Sequence, residues 1–381
     1  MKIRFNLYLV IVVLLSSCSA NEINDYSVTL APEPRNRIYF DLDSASIQNT
    51  TNIQLTILDG DSTLSLLNRA IPSIDYFSLE SGTLKKRFSP FLEGPNGIGR
   101  LDGYYILNDT IYVLNRPAFK IHVLDTNKAI VWTYNLLNET EQIMPFISTA
   151  QPLSFFNDSL FVVGLYDGDV INNRVQYFTK AKFGISIKKN STEFAPSSIS
   201  YPKIYSLISN AATHFNDVYY YHLGGGSFVF SFPLTSEITV FEKGAIKTYD
   251  VKTRLSSKEF ITIKNTENPI IELENYVDNI SYSWITFDSF NDVFYRLVEL
   301  PVPESNLLDN SNRMKRYYRD YGIQIIDRNF KIIGEYQIPK DQYSPSKMFF
   351  VTKKGLYIKI EDTDEKRIAF EHFSLLKRES Q

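Results

Sequence analysis

The chain of 381 residues carries 40 Lys and Arg against 43 Asp and Glu, four His and a single Cys, with 44% hydrophobic and 14% aromatic residues. One cysteine excludes an intrachain disulfide framework and any multi-cysteine zinc site, and a formal charge of −3 gives no electrostatic case for a nucleic-acid partner. The apolar content, with 27 Phe and 25 Tyr, is enough for the domain to rest on its own core.

The first element in chain order is an export signal. Lys2 and Arg4 precede an apolar run from Leu7 to Leu15, and Ser16 and Ser17 stand immediately before Cys18. The run is short of the roughly 20 residues that a helix needs to cross a bilayer. The stretch Leu15-Ser16-Ser17-Cys18 resembles the lipobox of bacterial lipoproteins, in which the cysteine is acylated and becomes the mature N-terminus. Residues 1–17 are then a signal peptide, 18–35 a lipidated tether and 36–381 one folded domain. Loss of Lys2 and Arg4 takes the formal charge two units further, to −5. Ser19, in place of an acid, fits outer-membrane sorting and leaves the face of the membrane open.

Beyond residue 35 the chain shows short runs rich in Ile, Val, Tyr and Phe, broken by Asn-Asp, Gly-Asp and Lys-Gly pairs, which is the pattern of strands joined by tight turns. The segments 60–70 and 108–118 align without gaps at the turn, each opening on a turn and running through a strand to Asn68-Arg69-Ala70 and Asn115-Arg116-Pro117-Ala118. A third copy opens at Asn157-Asp158, and later ones at Gly225-Gly226, Asn291-Asp292 and Lys354-Gly355. Six copies of a turn and a strand pair predict an all-β fold, a six-bladed β-propeller of four-stranded blades. The last copy supplies strands near 347–353, 356–361 and 368–375, and an orphan strand from Arg37 to Leu42 is expected to join it and close the ring. A β-sandwich or two smaller β-domains is the alternative. Residues 188–210, 251–280 and 301–320 exceed ordinary loop length, and the last of these, with Arg313, Lys315, Arg316 and Arg319, is expected to form a short helix or lid.

The segments Glu93-Gly94-Pro95-Asn96-Gly97-Ile98-Gly99, Ser227-Phe228-Val229-Phe230-Ser231-Phe232-Pro233 and Phe294-Tyr295-Arg296, following a lipobox, resemble a family of Bacteroidota lipoproteins, the domain of unknown function 4221. The resemblance covers nearly the whole chain and implies a six-bladed propeller anchored to a membrane. It implies no activity or ligand.

Recognisable catalytic chemistry is scarce. Gly94 to Gly99 fits neither dinucleotide nor P-loop spacing, and Gly224-Gly225-Gly226-Ser227 lacks the nucleophile-elbow pattern. His122, His214, His222 and His372 contain no metal-binding pair, and Asp167-Gly168-Asp169 lacks the glutamate of a calcium loop; no metal or cofactor is expected. Arg69 and Arg116 fall at equivalent places after the second strands of blades 1 and 2, and Arg296 near the matching strand of blade 5. These three are the candidate ligand residues, since arginines converging on a propeller rim hold a carboxylate or phosphate through paired hydrogen bonds. The expected role is a binding or scaffold module fixed to the membrane by Cys18, with a protein, peptide or glycan partner. The competing expectation is a glycan- or lactone-acting hydrolase or lyase with its site in the central funnel.

Overall fold

A computed structural model of the chain describes residues 26–377, apart from positions 49, 51, 138–141, 157, 168–177, 179–182, 189–190, 192–193, 197–198, 208–214, 258–274, 303–318, 339–347 and 363. The signal peptide, Cys18, His214, Asn157 and most of the charged insertion lie outside the described residues. So do Gly168 and Asp169 of the segment that lacks the calcium-loop glutamate.

The β-branched and aromatic runs form antiparallel strands, and the turn signals between them fix where each reverses. Blade 1 is β2 (Ile53–Leu58), β3 (Asp61–Asn68), β4 (Ser73–Ser78) and β5 (Leu84–Phe88), hydrogen-bonded in that order. Blade 2 repeats it with β6 (Gly103–Leu107), β7 (Thr110–Asn115), β8 (Lys120–Leu124) and β9 (Ile130–Asn135). Blade 3 has β11 (Ser154–Phe156), β12 (Ser159–Asp167), β13 (Gly184–Lys188) and β14 (Phe194–Pro196). An extra strand, β10 (Gln142–Pro145), pairs the far half of β12. Blade 4 is β15 (Tyr219–Gly224) to β18 (Ala245–Asp250), with β16 (Ser227–Ser231) and β17 (Glu237–Glu242) between. Blade 5 runs from β19 (Ser281–Asp288) through β20 (Val293–Glu299) and β21 (Tyr321–Ile326) to β22 (Ile332–Ile338).

The sixth blade closes the ring. Its chain-terminal strands β23 (Phe349–Thr352), β24 (Gly355–Ile360) and β25 (Arg367–Lys377) are completed by β1 (Val28–Asp41) on the outer edge, with Phe40 opposite Ile368 and Leu30 opposite Leu375. The fold is the expected six-bladed propeller with its N-terminal clasp. One boundary is corrected: residues 28–35, given to the tether by the sequence reading, are already strand. Pro32 and Pro34 are tolerated because β1 is an outermost strand, paired on one side only. The register shift between Glu33 and Ile38 absorbs the irregularity.

Turns between first and second strands use the predicted residues. Asp59, Asn108, Asp158 and Asp292 take left-handed φ of 52–58°, which Asn and Asp tolerate. Middle strands are buried along their length, as in β4, β20, β21 and β24, each mostly apolar but carrying a buried polar residue such as Asp75, Arg296, Gln324 or Lys359, whereas the outer β18 is largely exposed. Each seam between neighbouring blades holds one apolar cluster. At the closing seam Phe40 of β1, wholly buried, stands edge-on to Phe77 of blade 1 and Phe370 of blade 6, both centroids 5.9 Å away.

The link that follows β1 is clasped to blade 1 by charge. Arg87 donates to Asp43 and, at 2.7 Å, to the buried Asp75. Those bonds hold the Asp43 carboxyl down at about 2.

Candidate functional site

Between Asn68 and Ser73, and between Asn115 and Lys120, the chain turns from the second to the third strand at one end of the ring. In blade 1 the Asn68 side-chain oxygen accepts from the N–H of Ala70 at 3.0 Å, while its amide nitrogen donates to the Ala45 carbonyl and Asp75. In blade 2 Asn115 accepts from the Ala118 N–H at 3.2 Å and donates to the Ile98 carbonyl. Both asparagines are buried and brace the turn, which leaves the next residue, Arg69 or Arg116, on the rim.

The link from blade 1 to blade 2 supplies the second wall. Within Gly94 to Gly99 the N–H groups of Gly97, Ile98 and Gly99 donate to the carbonyls of Gly94, Phe91 and Leu92. These donors are consumed inside the loop, so it is no phosphate cradle. Gly99 has φ 73°, and a Cβ there would stand 2.7 Å from the Asn115 amide, so the loop is fitted to the asparagine that braces Arg116. Arg100 and Asp102 follow. The Asp102 carboxylate accepts from Arg100 at 2.6 Å and from the Arg116 backbone N–H at 3.0 Å.

The third wall is the link from blade 2 to blade 3. The Arg116 guanidinium lies 4.4 Å above the Phe146 ring, which holds it flat against an apolar surface. Together these segments enclose a cavity of about 490 Å³ with Arg69, Arg100 and Arg116 on its walls, Asp102 between them, and Leu92 and Phe146 as apolar lining. Among the described lining residues three guanidiniums stand with one carboxylate, which already accepts from two donors.

The same link closes the central channel. Ser148 and Gln151 exchange backbone hydrogen bonds at 3.2 Å, forming a tight tip. Thr149 Oγ1 accepts from the Ile53 N–H at 2.8 Å on the inner edge of blade 1. The Ile147 carbonyl accepts from Asn52, Gln151 donates to the Val218 carbonyl before blade 4, and Ala150 packs against a cluster containing Trp284 and Phe349 of blades 5 and 6. Residues 147–151 therefore reach blades around the whole ring from its centre. A Cβ on Gly103 would stand 2.4 Å from the Ile147 carbonyl, so blade 2 admits the plug by lacking a side chain there.

The structure brings two of the three candidate arginines together. Arg69 and Arg116 share the cavity wall, but Arg296 is corrected. It lies within β20, opposite Gln324, and is fully buried. Its guanidinium donates to Ser231 Oγ and to the carbonyls of Thr235, Ser236 and Glu237, and it lies 4.2 Å from the Tyr282 ring centre. Burial pushes its pKa down to about 9, so it stays charged at neutral pH while facing no solvent. Arg319, read as part of a charged lid, is likewise buried, donating to the carbonyls of Tyr276, Asn279, Glu299 and Leu300.

The three described histidines sit in separate blades. His122 bonds Thr133 at 2.9 Å, His222 stacks on Phe228, and His372 approaches the Lys354 carbonyl; burial lowers the pKa of the first two. Among the described residues no group of three or more His, Cys, Asp or Glu could hold a metal. Sequence reasoning missed Arg100, Asp102 and Phe146, which lie in links between blades where no repeat marks them.

The family model described as Domain of unknown function (DUF4221) matches residues 28–337. A crystal structure of a member of that family from Bacteroides vulgatus superposes with a TM-score of 0.80 at 19% identity, covering 93% of this chain and 100% of its own. A Bacteroides fragilis protein, named as a candidate exported protein, gives 0.53 at 12% identity, covering 91% and 96%. No curated protein matches the chain.

Proposed function

The chain belongs to the family of the domain of unknown function DUF4221, and on that premise we propose that it is an envelope lipoprotein, held to the outer membrane through acylated Cys18, whose propeller binds an anionic group of a peptide or glycan partner. The observation that carries the reading is the cavity shared by Arg69 and Arg116. Two equivalent turns of adjacent blades, each braced by a buried Asn, hold their arginines on one space, and Arg100 adds a third positive charge. Guanidinium groups on a partly apolar wall recognise a carboxylate or phosphate through short charge-assisted bonds. The apolar lining accommodates the carbon skeleton that bears it. Binding rather than turnover is supported by residues 147–151, which cross the centre of the ring at the arginine end and bond the inner edge of blade 1 and the approach to blade 4.

Thermal unfolding of the mature domain in uronic acids, short peptides with free carboxylates and inorganic phosphate tests the cavity. At one hundred times its dissociation constant a ligand adds about 2.7 kcal/mol of stability. At least one of these anions is expected to raise the unfolding temperature, and Arg116→Ala to abolish the rise. Absence of any rise, or a rise that survives the paired change Arg69→Ala and Arg116→Ala, overturns the assignment. The anchor has a separate readout: Cys18→Ser moves the protein from the membrane to the soluble fraction, and retention on the membrane refutes lipidation.

A further inference from the structure

The third wall of the arginine cavity begins in β10, and that strand sets an oxidisable side chain against Arg116. Met144 faces Leu165 across the ladder, and the two residues after it, Pro145 and Phe146, line the cavity. The Met144 Sδ accepts from Arg116 Nη2 at 2.9 Å. A thioether is a weak acceptor. The other contact described for this guanidinium is the Phe146 ring, 4.4 Å away. Both partners are uncharged and polarizable, so they orient Arg116 and leave its charge to a ligand.

Methionine is scarce in the chain, which has four. Met1 and Met314 lie outside the described residues. Met348 is 2% exposed, inside the cluster that closes the ring. Met144 is partly exposed, so among the described residues it is the methionine that a dissolved oxidant meets.

We propose that Met144 is an oxidation site that controls the cavity, its sulfoxide drawing Arg116 away from anions. The inference rests on the reading of the cavity as an anion site. The oxidant is a peroxide. A sulfur lone pair attacks one peroxide oxygen, and the S–O bond forms as the O–O bond breaks. The leaving hydroxide takes the proton from the transferred oxygen and departs as water, so sulfur loses the two electrons that the peroxide gains. The sulfoxide oxygen carries partial negative charge and is a far stronger acceptor than the thioether. It stands one bond from the atom to which Arg116 already donates. A guanidinium bonded to it has fewer donors for a carboxylate or phosphate.

The test compares the mature domain before and after mild treatment with hydrogen peroxide. Peptide mass mapping locates the added oxygen, and phenylglyoxal, which modifies arginine side chains, reports on Arg116 without any ligand. Met144 is expected to oxidise ahead of Met348, and Arg116 then to react more slowly with phenylglyoxal. The anion that stabilises the untreated protein is expected to bind about tenfold more weakly, the factor set by one hydrogen bond to a charged group. Met144→Leu removes both responses to peroxide. Met144→Gln, whose amide oxygen stands in for that of the sulfoxide, slows the reaction of Arg116 with no oxidant present. Oxidation of Met348 before Met144, unchanged reactivity of Arg116, or a loss of affinity that persists in Met144→Leu overturns the proposal. An untreated protein that binds no anion removes the cavity reading and the role of the sulfoxide with it, whereas anion binding that peroxide leaves unchanged overturns the proposal alone.

Discussion

Arg296 and Arg116 differ in where their donors point. Arg296 spends its guanidinium on the Thr235, Ser236 and Glu237 carbonyls and on Ser231, and so ties the turn between the second and third strands of blade 4 to the middle of blade 5. Arg296→Met keeps the aliphatic volume and leaves those carbonyls buried without donors, which costs about 3 kcal/mol. Urea denaturation is expected to show that loss as a lower midpoint at unchanged slope, whereas Arg116→Ala, on a solvated rim, moves stability by less than about 1 kcal/mol. The pair at Arg69 and Arg116 was legible because an Asn-Arg dipeptide closes the second strand in both of the first two copies. Arg296 was misread because the repeat degenerates in blade 5, where the residue falls inside the strand and not after it. Hydropathy cannot distinguish an arginine that faces water from one that faces carbonyls.

Among the elements, the link from β9 to β11 has the most consequence and left the least trace in the sequence. Its residues 147–151 carry no repeat, no glycine and no aromatic, yet they join the inner edges of several blades. Thr149 satisfies the Ile53 N–H, a donor on a strand edge that has no neighbouring strand. Thr149→Val preserves shape and removes that acceptor, at a cost of about 1–3 kcal/mol. The expected signature is faster hydrogen exchange at the Ile53 amide together with a lower unfolding temperature, and Thr149→Ser restores both. Strand identities, by contrast, were readable from local pattern, because a half-buried strand tends to alternate and a buried one is rich in Ile, Val, Tyr and Phe even where a single position, such as Asp75 or Gln324, is polar. The early start of β1 was not, since its two prolines are permitted only by an edge position that the sequence does not state.

At the scale of the whole molecule, stability depends on closing a ring whose blades touch only their neighbours. The closing seam depends on β1, which pairs the chain-terminal β25, and Phe40 is its buried point. Phe40→Ala is expected to cost about 3–5 kcal/mol and to expose hydrophobic surface to a dye at temperatures where the parent protein stays folded. Tyr39→Ala, one position along on the exposed face of the same strand, is expected to change stability by less than about 1 kcal/mol. Six turn-and-strand copies, a spare strand at the start and a missing strand at the end determined the propeller and its clasp from the sequence alone, because turn chemistry and period-two patterning act over a few residues and survive as local signals. The arginine cavity, the plugged channel and the burial of Arg296 were decided only by the tertiary structure. Each depends on which blades stand beside or across from one another, and neighbours set by ring closure leave no mark in the spacing of residues along the chain.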